Sequence, residues 1–528
     1  MMNDWIRLVL LPLLASAFLP ALSVAESPSP EQVVVVANLN SPDSLDLANY
    51  YVRNRRIPET NLILLQTPVE EEISDEEFVE TIWNPLRKEL LDRGFIDGEL
   101  LDHISHDGRT EYRPFGSHFR YLLLCKGIPL KLNNQVIPNP QQILTIPPIF
   151  LTAKSSVDSE LSLIVTNNLR QISHVPNPLF QLSDPNQSDF FNAVSVCRLD
   201  APTFDNAKRI VDLSMEAEKT PFLEGRAYID LFPQNPDGNI WLNNAALLLR
   251  AFGYDVDIEH TSNHWNTTQR NDAPAIYLGW YQPHASGPPV SYHPNLPPGS
   301  IAGHIHSYSA RTLSDKHEGW AGPLIDNGYA VTFGNVYEPY LQMTLRPDLL
   351  IESLLKGHCV GEASLFATPV LSWQNVTIAD PLYVPFRNSS GFDPIQALTD
   401  PATDSYTAII SINRIAQKDR QRAKDKAIGY FLNKPDALVA YKMITEFGDL
   451  LTPILSEPLY DYICTKQIRD EDLVPLYLNI FDRLFKANDD RSSEILETLK
   501  FNMSYWSTEI QSLINEKSRL LELRTTEN

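Results

Sequence analysis

The stretch GSIAGHIHSYSARTL (Gly299–Leu313), continued by GWAGPLIDNGYAVTFGNVYEPYL (Gly319–Leu341), carries the reading on which the fold turns. Ser300 to His306 alternates as a strand does, and a period of two puts His304 and His306 on one face. Ser307, Ser309 and Thr312 follow as a loop at the strand's end. Trp320 to Asp326 reads as a short helix, and Asn327-Gly328 stops it. Tyr329 to Phe333 is a short apolar, β-prone run that Gly334-Asn335 breaks. Glu338-Pro339-Tyr340 sits just past the break. In open α/β sheets, ligands bind outside the carboxyl ends of strands. His304, His306 and Glu338 all map to such ends.

The same alternation extends upstream. Val33 to Ala37 (VVVVA) is a buried strand by composition. Ser41-Pro42-Asp43 opens a helix: Ser41 caps, Pro42 suits the first turn, and Asp43 complements the dipole. Asn61 to Leu65 is the next strand. Ser74 to Glu77 is a capping box, and Phe78, Ile82, Leu86 and Leu90 follow at helical spacing. Tyr121–Cys125, Phe191–Leu199, Arg226–Phe232, Tyr254–Ile258 and Ala275–Gly279 read as strands. Thr203–Glu218 and Ile240–Ala251 read as helices. Alternating β and α over this length predicts an α/β fold, a doubly wound, mostly parallel sheet with helices on both faces. One large sheet and two lobes are both compatible with it. SDPNQ (Ser183–Gln187) is a candidate lobe boundary, dividing α/β regions 26–185 and 186–392, the second carrying the candidate site. From about Asp393 the β signal vanishes. Tyr406–Lys418, Ala423–Leu432, Asp436–Phe447, Asp472–Lys486 and Ser492–Leu523 suit helices. Residues 393–528 therefore read as an all-α extension without a clear repeat, fit for packing or partner contact.

Composition bounds the function. The chain has 528 residues, 43% of them hydrophobic, enough for a large core and roughly two or three domains. A net charge of -23 argues against nucleic acid as a partner, because the phosphate backbone would be repelled. Arg7 precedes an apolar stretch, Leu8 to Leu22, and Ser23-Val24-Ala25 fits the small-x-small cleavage rule. Residues 1–25 thus read as a signal peptide, and the mature chain as exported, periplasmic or extracellular, with no later transmembrane segment. The cysteines Cys125, Cys197, Cys359 and Cys464 form no metal-type pair. Cys125 and Cys197 end apolar runs and read as core thiols, although export leaves pairing open.

Several side chains are candidates for chemistry. His304 and His306 could ligate a metal, or serve as a base and its helper, with Glu338 or Asp380 as the carboxylate. The competing reading has one histidine bonded to backbone at the strand end and the other partly exposed. Glu338 is held extended by Pro339 in an aromatic loop with Tyr337 and Tyr340, which fits an acid or base. It fits equally a loop carboxylate bonded to backbone N–H groups. Ser307 is the nearby catalytic hydroxyl candidate, but no G-x-S-x-G elbow frames it. A P-loop and a post-strand G-x-G-x-x-G are absent too, and no motif assigns a cofactor. Lys126, after YLLLC, could bind an anionic substrate group or be one of the far commoner solvated lysines. Asp158, with Glu160, stands at a helix start and either caps it or binds. Trp280, Tyr281 and Tyr340 could stack on a sugar or peptide, or pack in the core.

In order along the chain come SPDSLDLANYYVRNRRIP (Ser41–Pro58), YLLLCKGIPLKL (Tyr121–Leu132), SVDSELSLI (Ser156–Ile164) and CRLDAPT (Cys197–Thr203). YLGWY (Tyr277–Tyr281), HIHSYSARTL (His304–Leu313), GNVYEPYL (Gly334–Leu341) and LSWQNVTIADPLYVPF (Leu371–Phe386) follow. Together they resemble a family of exported bacterial proteins of uncharacterised activity. That family is associated by genome co-occurrence with exosortase, the membrane enzyme thought to sort proteins bearing a short C-terminal Pro-Glu-Pro signal. The resemblance spans roughly Val33 to Phe386 and leaves out the helical extension. It implies an envelope-associated accessory role, with a protein or glycan of the cell envelope as partner, and supplies no mechanism.

A second resemblance is to the caspase-like cysteine peptidases, gingipains included. These place a His-Gly after one strand and a Cys after the next. Here one strand ends at Gly303-His304 and the next at Gly334-Asn335, and SWQNVTIADPLY is similar to the Trp and Gly-Asp-Pro that close the gingipain domain. The resemblance implies a caspase/gingipain-like core. Ile305 stands in place of the glycine, and Asn335 and Val336 stand where the cysteine would be. Cys359 lies in the helix-like LLKGHCVGEA. The thiolate is the nucleophile in that chemistry. The expectation is therefore an accessory protein or pseudo-enzyme. The alternative is a hydrolase of peptide or glycan centred on His304 and Glu338.

Overall fold

Apolar runs broken by turn residues become the ten strands of the two largest sheets: β1 (Val33–Asn38), β2 (Leu62–Leu65), β3 (Tyr121–Cys125), β4 (Ser195–Leu199), β5 (Arg226–Asp230), β6 (Val256–Glu259), β7 (Pro274–Trp280), β8 (Ile301–Ile305), β9 (Thr332–Asn335) and β10 (Asn375–Ile378). The structure is a computed structural model that describes residues 28–527 apart from 106, 134–143, 145, 168–171, 184, 292, 294, 388, 466 and 467. The expected signal peptide, residues 1–25, lies outside the described residues.

The strands form a six-stranded sheet, β9-β10-β4-β3-β1-β2, and a four-stranded one, β6-β5-β7-β8. A parallel bridge between Ile301 and Val331 joins them, with Ala302 N–H donating to the Val331 carbonyl at 2.9 Å. Neighbouring strands are parallel throughout except at β9–β10, which pair antiparallel. The result is two parallel half-sheets pointing opposite ways. One holds β6-β5-β7-β8-β9 and the other β10-β4-β3-β1-β2. Each runs second, first, third, fourth, fifth in its own strand order, one of the two common doubly wound arrangements. The chain leaves the first half after β4, builds the second, and returns with β10. A division at 185/186 does not coincide with this change, because β4 still belongs to the first half.

Burial follows from the parallel pairing. β1, β3, β4, β5, β7 and β8 are buried along their whole length, so their sequences are near-continuous apolar runs. Ser41 caps the helix Pro42–Arg55 by accepting from Ser44 N–H, and Ser74–Glu77 forms both halves of a capping box. The helix Pro236–Phe252 begins before the expected Ile240, because Asn235 caps it and Pro236 fills its first turn. LLKGHCVGEA is not one helix: Pro347–Leu355 ends before it does, and Cys359 precedes a second helix, Val360–Ala367. An antiparallel hairpin, Ile96–Ile104 with Thr110–Ser117, went unforeseen because two register irregularities break its alternation. All four cysteines are free and buried.

The C-terminal region is all helical, as expected, and packs on its own apolar core around Ile412, Ala427, Phe447, Ile480 and Leu499. The expected helix Ser492–Leu523 is two, Arg491–Phe501 and Thr508–Glu527. Pro453–Thr465 is a further helix, with Pro458 inside it. Among the described residues no helix is long and apolar enough to cross a membrane.

Candidate functional site

In the second half-sheet the connection after β5 runs outward to β6, and the next returns past β5 to β7. That reversal leaves a crevice at the carboxyl ends of the strands. A cleft of about 260 Å³ lies there. The end of β7 contributes Trp280 and Tyr281, the end of β8 Ile305, His306 and Ser307, and the end of β9 Asn335, Glu338 and Tyr340. Asn235 and Asp237, at the start of the helix after β5, complete the opposite wall.

Ser307 Oγ donates to Glu338 Oε2 at 2.5 Å. The other carboxylate oxygen accepts from Tyr340 N–H at 3.2 Å, so Glu338 is both a backbone-bonded loop carboxylate and part of the cleft. Tyr340 takes a φ of 61°, a left-handed conformation that costs a non-glycine residue energy and is met most often at functional sites. His306 is half-buried, packs against Tyr281 with ring centroids 4.6 Å apart, and its Nδ1 lies 2.5 Å from the Ser307 carbonyl. A carbonyl can only accept, so Nδ1 carries the proton and Nε2 is the bare acceptor. Burial pulls the imidazole below its ordinary value, which keeps it neutral.

His304 is different. Its side chain lies behind the cleft, 1% exposed, stacked on Trp320 at 3.7 Å. Nε2 accepts from the Gln282 backbone N–H at 2.8 Å, and Nδ1 lies 2.9 Å from Tyr277 Oη. Both ring nitrogens are engaged. A metal ligand or a general base needs one free nitrogen, and His304 has none to offer. Among the described residues no group of three or more His, Cys, Asp or Glu could hold a metal ion. Burial, with His306 and His264 nearby, holds its pKa well below the ordinary value. His304 thus follows the structural reading of the H-x-H pair, the buried member bonded to backbone and the other part-exposed.

The remaining candidates separate. Trp280 is 3% exposed and donates Nε1–H to the Asn235 carbonyl at 3.1 Å. A Cβ on Gly238 would come within 2.4 Å of its ring, so the tryptophan seats the helix start against β7. Tyr281, 38% exposed, is the aromatic face the cleft presents. Asp158 does not reach the cleft. It is buried in the other half of the sheet, its Oδ2 2.6 Å from Arg198 Nη2. Arg198 also reaches Asp200 at 3.1 Å and the carbonyls of Ile128 and Pro129. The helix cap expected of Asp158 is supplied instead by Ser156, which accepts from Ser159 N–H at 3.0 Å. Lys126 spends its ammonium on the Ala201 carbonyl at 2.7 Å, away from the cleft. Asp380 is fully buried and bonds Tyr51 Oη at 2.8 Å and Arg55 Nε at 2.5 Å.

Besides Asn235 and Asp237, three residues behind the cleft, Asp230, His264 and Tyr277, escaped the sequence reading as candidates. Asp230 closes β5, and its carboxylate meets His264 Nδ1 at 3.2 Å and the Tyr277 hydroxyl. Burial pushes Asp230 up to about 6, against the pull of His264. Tyr277 then leads to His304 and to the Gln282 backbone beside Tyr281. Asp230 was findable as an acid at a strand end. His264 was not, because it sits in an irregular loop with a φ of 55°. Compared with known proteins, the chain matches no family model, no curated protein and no solved structure.

Proposed function

We propose that the chain is an exported, envelope-associated accessory protein that holds a peptide or glycan segment in this cleft. Its scaffold is caspase/gingipain-like and lacks that class's thiolate. The observation that carries the reading is His304: it occupies the strand end where the resemblance places the catalytic imidazole, and both its nitrogens are bound internally. The neighbouring strand end carries Asn335, its amide donated to Thr344 Oγ1 at 3.0 Å, and all four cysteines are buried away as free thiols. What remains is a recognition surface. The exposed face of Tyr281 and the strained Tyr340 suit stacking on a sugar or an extended peptide. A few placed polar groups in a concave, partly aromatic site are the usual equipment for orientation. The tie to protein sorting rests on the family resemblance between Val33 and Phe386.

The test uses the chain from Glu26 to Asn528, titrated with peptide and oligosaccharide panels while the heat of binding is followed. Saturable binding that Tyr281→Ala weakens at least tenfold supports the reading. Binding by neither panel sinks it. One observation favours a second reading, a hydrolase in which Glu338 takes the Ser307 proton beside the neutral His306: the 2.5 Å Ser307–Glu338 bond. Turnover of fluorogenic peptides or aryl glycosides, abolished by Glu338→Gln and by Ser307→Ala, would replace the accessory role with that one.

A further inference from the structure

The polar groups of the cleft at β7–β9 are mostly acceptors. Among the described residues that line it there is no Lys or Arg. Glu338 accepts one bond at each oxygen, from Tyr340 N–H and from Ser307 Oγ, and a carboxylate oxygen has a second lone pair to offer. His306 adds its bare Nε2, and exposed Asp237 adds a carboxylate from the opposite wall. The donors beside them are spent: Ser307 on Glu338, Trp280 Nε1–H on the Asn235 carbonyl and the Asn335 amide on Thr344. Those left, on Gln342 and the hydroxyls of Tyr281 and Tyr340, are uncharged.

This set disfavours an anion, since a carboxylate, sulfate or phosphate would meet Glu338 and Asp237 with no cation in return. Nor do the two carboxylates lack compensation. Glu338 holds two donors, and Asp237 lies in the first turn of Pro236–Phe252, where the helix dipole favours negative charge. An extended peptide binds best by adding a strand to an open sheet edge. Here β7 lies between β5 and β8, β8 between β7 and β9, and β9 between β8 and β10, so no such edge reaches the cleft.

We infer that the cleft selects a neutral glycan, with one sugar ring laid on Tyr281 and its hydroxyls donating to Glu338 and to His306 Nε2. A sugar ring has an apolar C–H face and a rim of O–H donors. The cleft has the matching pair, an exposed aromatic face and acceptors next to it, with the Tyr281 and His306 rings 4.6 Å apart. The inference rests on the binding role proposed above and names its ligand.

The experiment is calorimetric titration of the same chain with cellohexaose and N-acetylchitohexaose, beside hexagalacturonic acid, hexalysine, hexaglutamate and hexaalanine. At least one neutral hexasaccharide should bind saturably, about tenfold or more tighter than hexagalacturonic acid. Raising the salt from about 0.1 M to about 1 M should change that affinity less than about twofold, because no ion pair forms. Tyr281→Ala should weaken it about tenfold or more, and Glu338→Gln several-fold, by trading an acceptor for an amide. Binding of a peptide but of neither neutral sugar overturns the inference and leaves the binding role standing. Binding of no probe overturns both. Equal binding of hexagalacturonic acid, or a steep loss with salt, shows a charged ligand and overturns the neutral glycan.

Discussion

At the scale of single residues, hydrogen-bond direction fixes protonation. The Gln282 N–H can only donate, so His304 Nε2 is bare and its proton is on Nδ1. That proton goes to Tyr277 Oη, the tyrosine hydrogen goes to Asp230, and Asp230 also receives His264 Nδ1–H. Every member of the chain has its tautomer set by the next. His304 is therefore held neutral, with a folded pKa far below its unfolded value near 6.5. Below that pH the unfolded state takes up a proton that the folded state refuses, so stability falls as pH drops from about 7 toward 5. The slope from this residue approaches about 1.4 kcal/mol per pH unit. Urea unfolding across that range should show a shallower pH dependence in His304→Gln than in the wild type. Identical slopes would mean that the ring protonates in place. The sequence displayed the H-x-H pair but not which ring is enclosed. β8 ends at Ile305, so the alternation stops before His306, and only the packing of Trp320 and Tyr277 distinguishes the two rings.

At the scale of elements, the joining of the six-stranded and four-stranded sheets depends on the short contact of β8 with β9. Gly303 faces Phe333 across it, and a Cβ at 303 would fall 2.2 Å from the ring carbons Cε1 and Cζ. That distance is far inside contact, and the ring is fixed in a buried strand. Gly303→Ala should therefore cost about 1–3 kcal/mol through overpacking. Adding Phe333→Leu to it should recover part of the loss, so that the two changes couple in a double-mutant cycle. Strictly additive losses, measured by denaturant unfolding, would show that the strands do not press together here. Most strands and helices were legible because parallel, fully covered strands leave apolar runs and helix starts leave Ser, Pro and Asp. β10 was not, since NVTI (Asn375–Ile378) is a brief half-polar run that pairs with β4 from far along the chain. The cleft suffered in the same way. His306, Ser307 and Glu338 were legible as strand-end polar residues, whereas Asn235 and Asp237 joined them only through the strand order.

At the scale of the whole molecule, the helical region is docked on the core by a seam rich in titratable pairs. Asp404 caps its first long helix, and core Glu224 lies against Asp404 and 3.4 Å from Thr407 Oγ1. Burial first, then the Asp404 charge, pushes Glu224 up to about 7. Nearby, burial pulls core His293 down, but its 3.0 Å contact with Asp472 and that residue's charge outweigh the loss and raise it. Arg226, Arg270 and Lys442, with Asp255, Asp272 and the hydroxyl of Tyr406, complete the seam. Both shifted groups have folded pKa values above their unfolded ones. Each therefore contributes stability that is present at low pH and lost as pH rises through the folded value: Glu224 between about 4.5 and 7, His293 above about 6.5. The seam should loosen from pH 5.5 to pH 8, because Glu224 must ionise against Asp404 while His293 loses to solvent the proton whose charge attracts Asp472. Limited proteolysis at the exposed Thr399–Ala402 connection reads this directly, with a protease whose own activity is corrected for pH. Cleavage should be several-fold faster at pH 8 than at pH 5.5, and Glu224→Gln should flatten the lower part of that rise while leaving the part above pH 7 to His293. Equal rates at the two pH values would show that the seam is held by the permanent charges, Arg226 and Lys442 on Asp255, and that the carboxyl pair is a bystander.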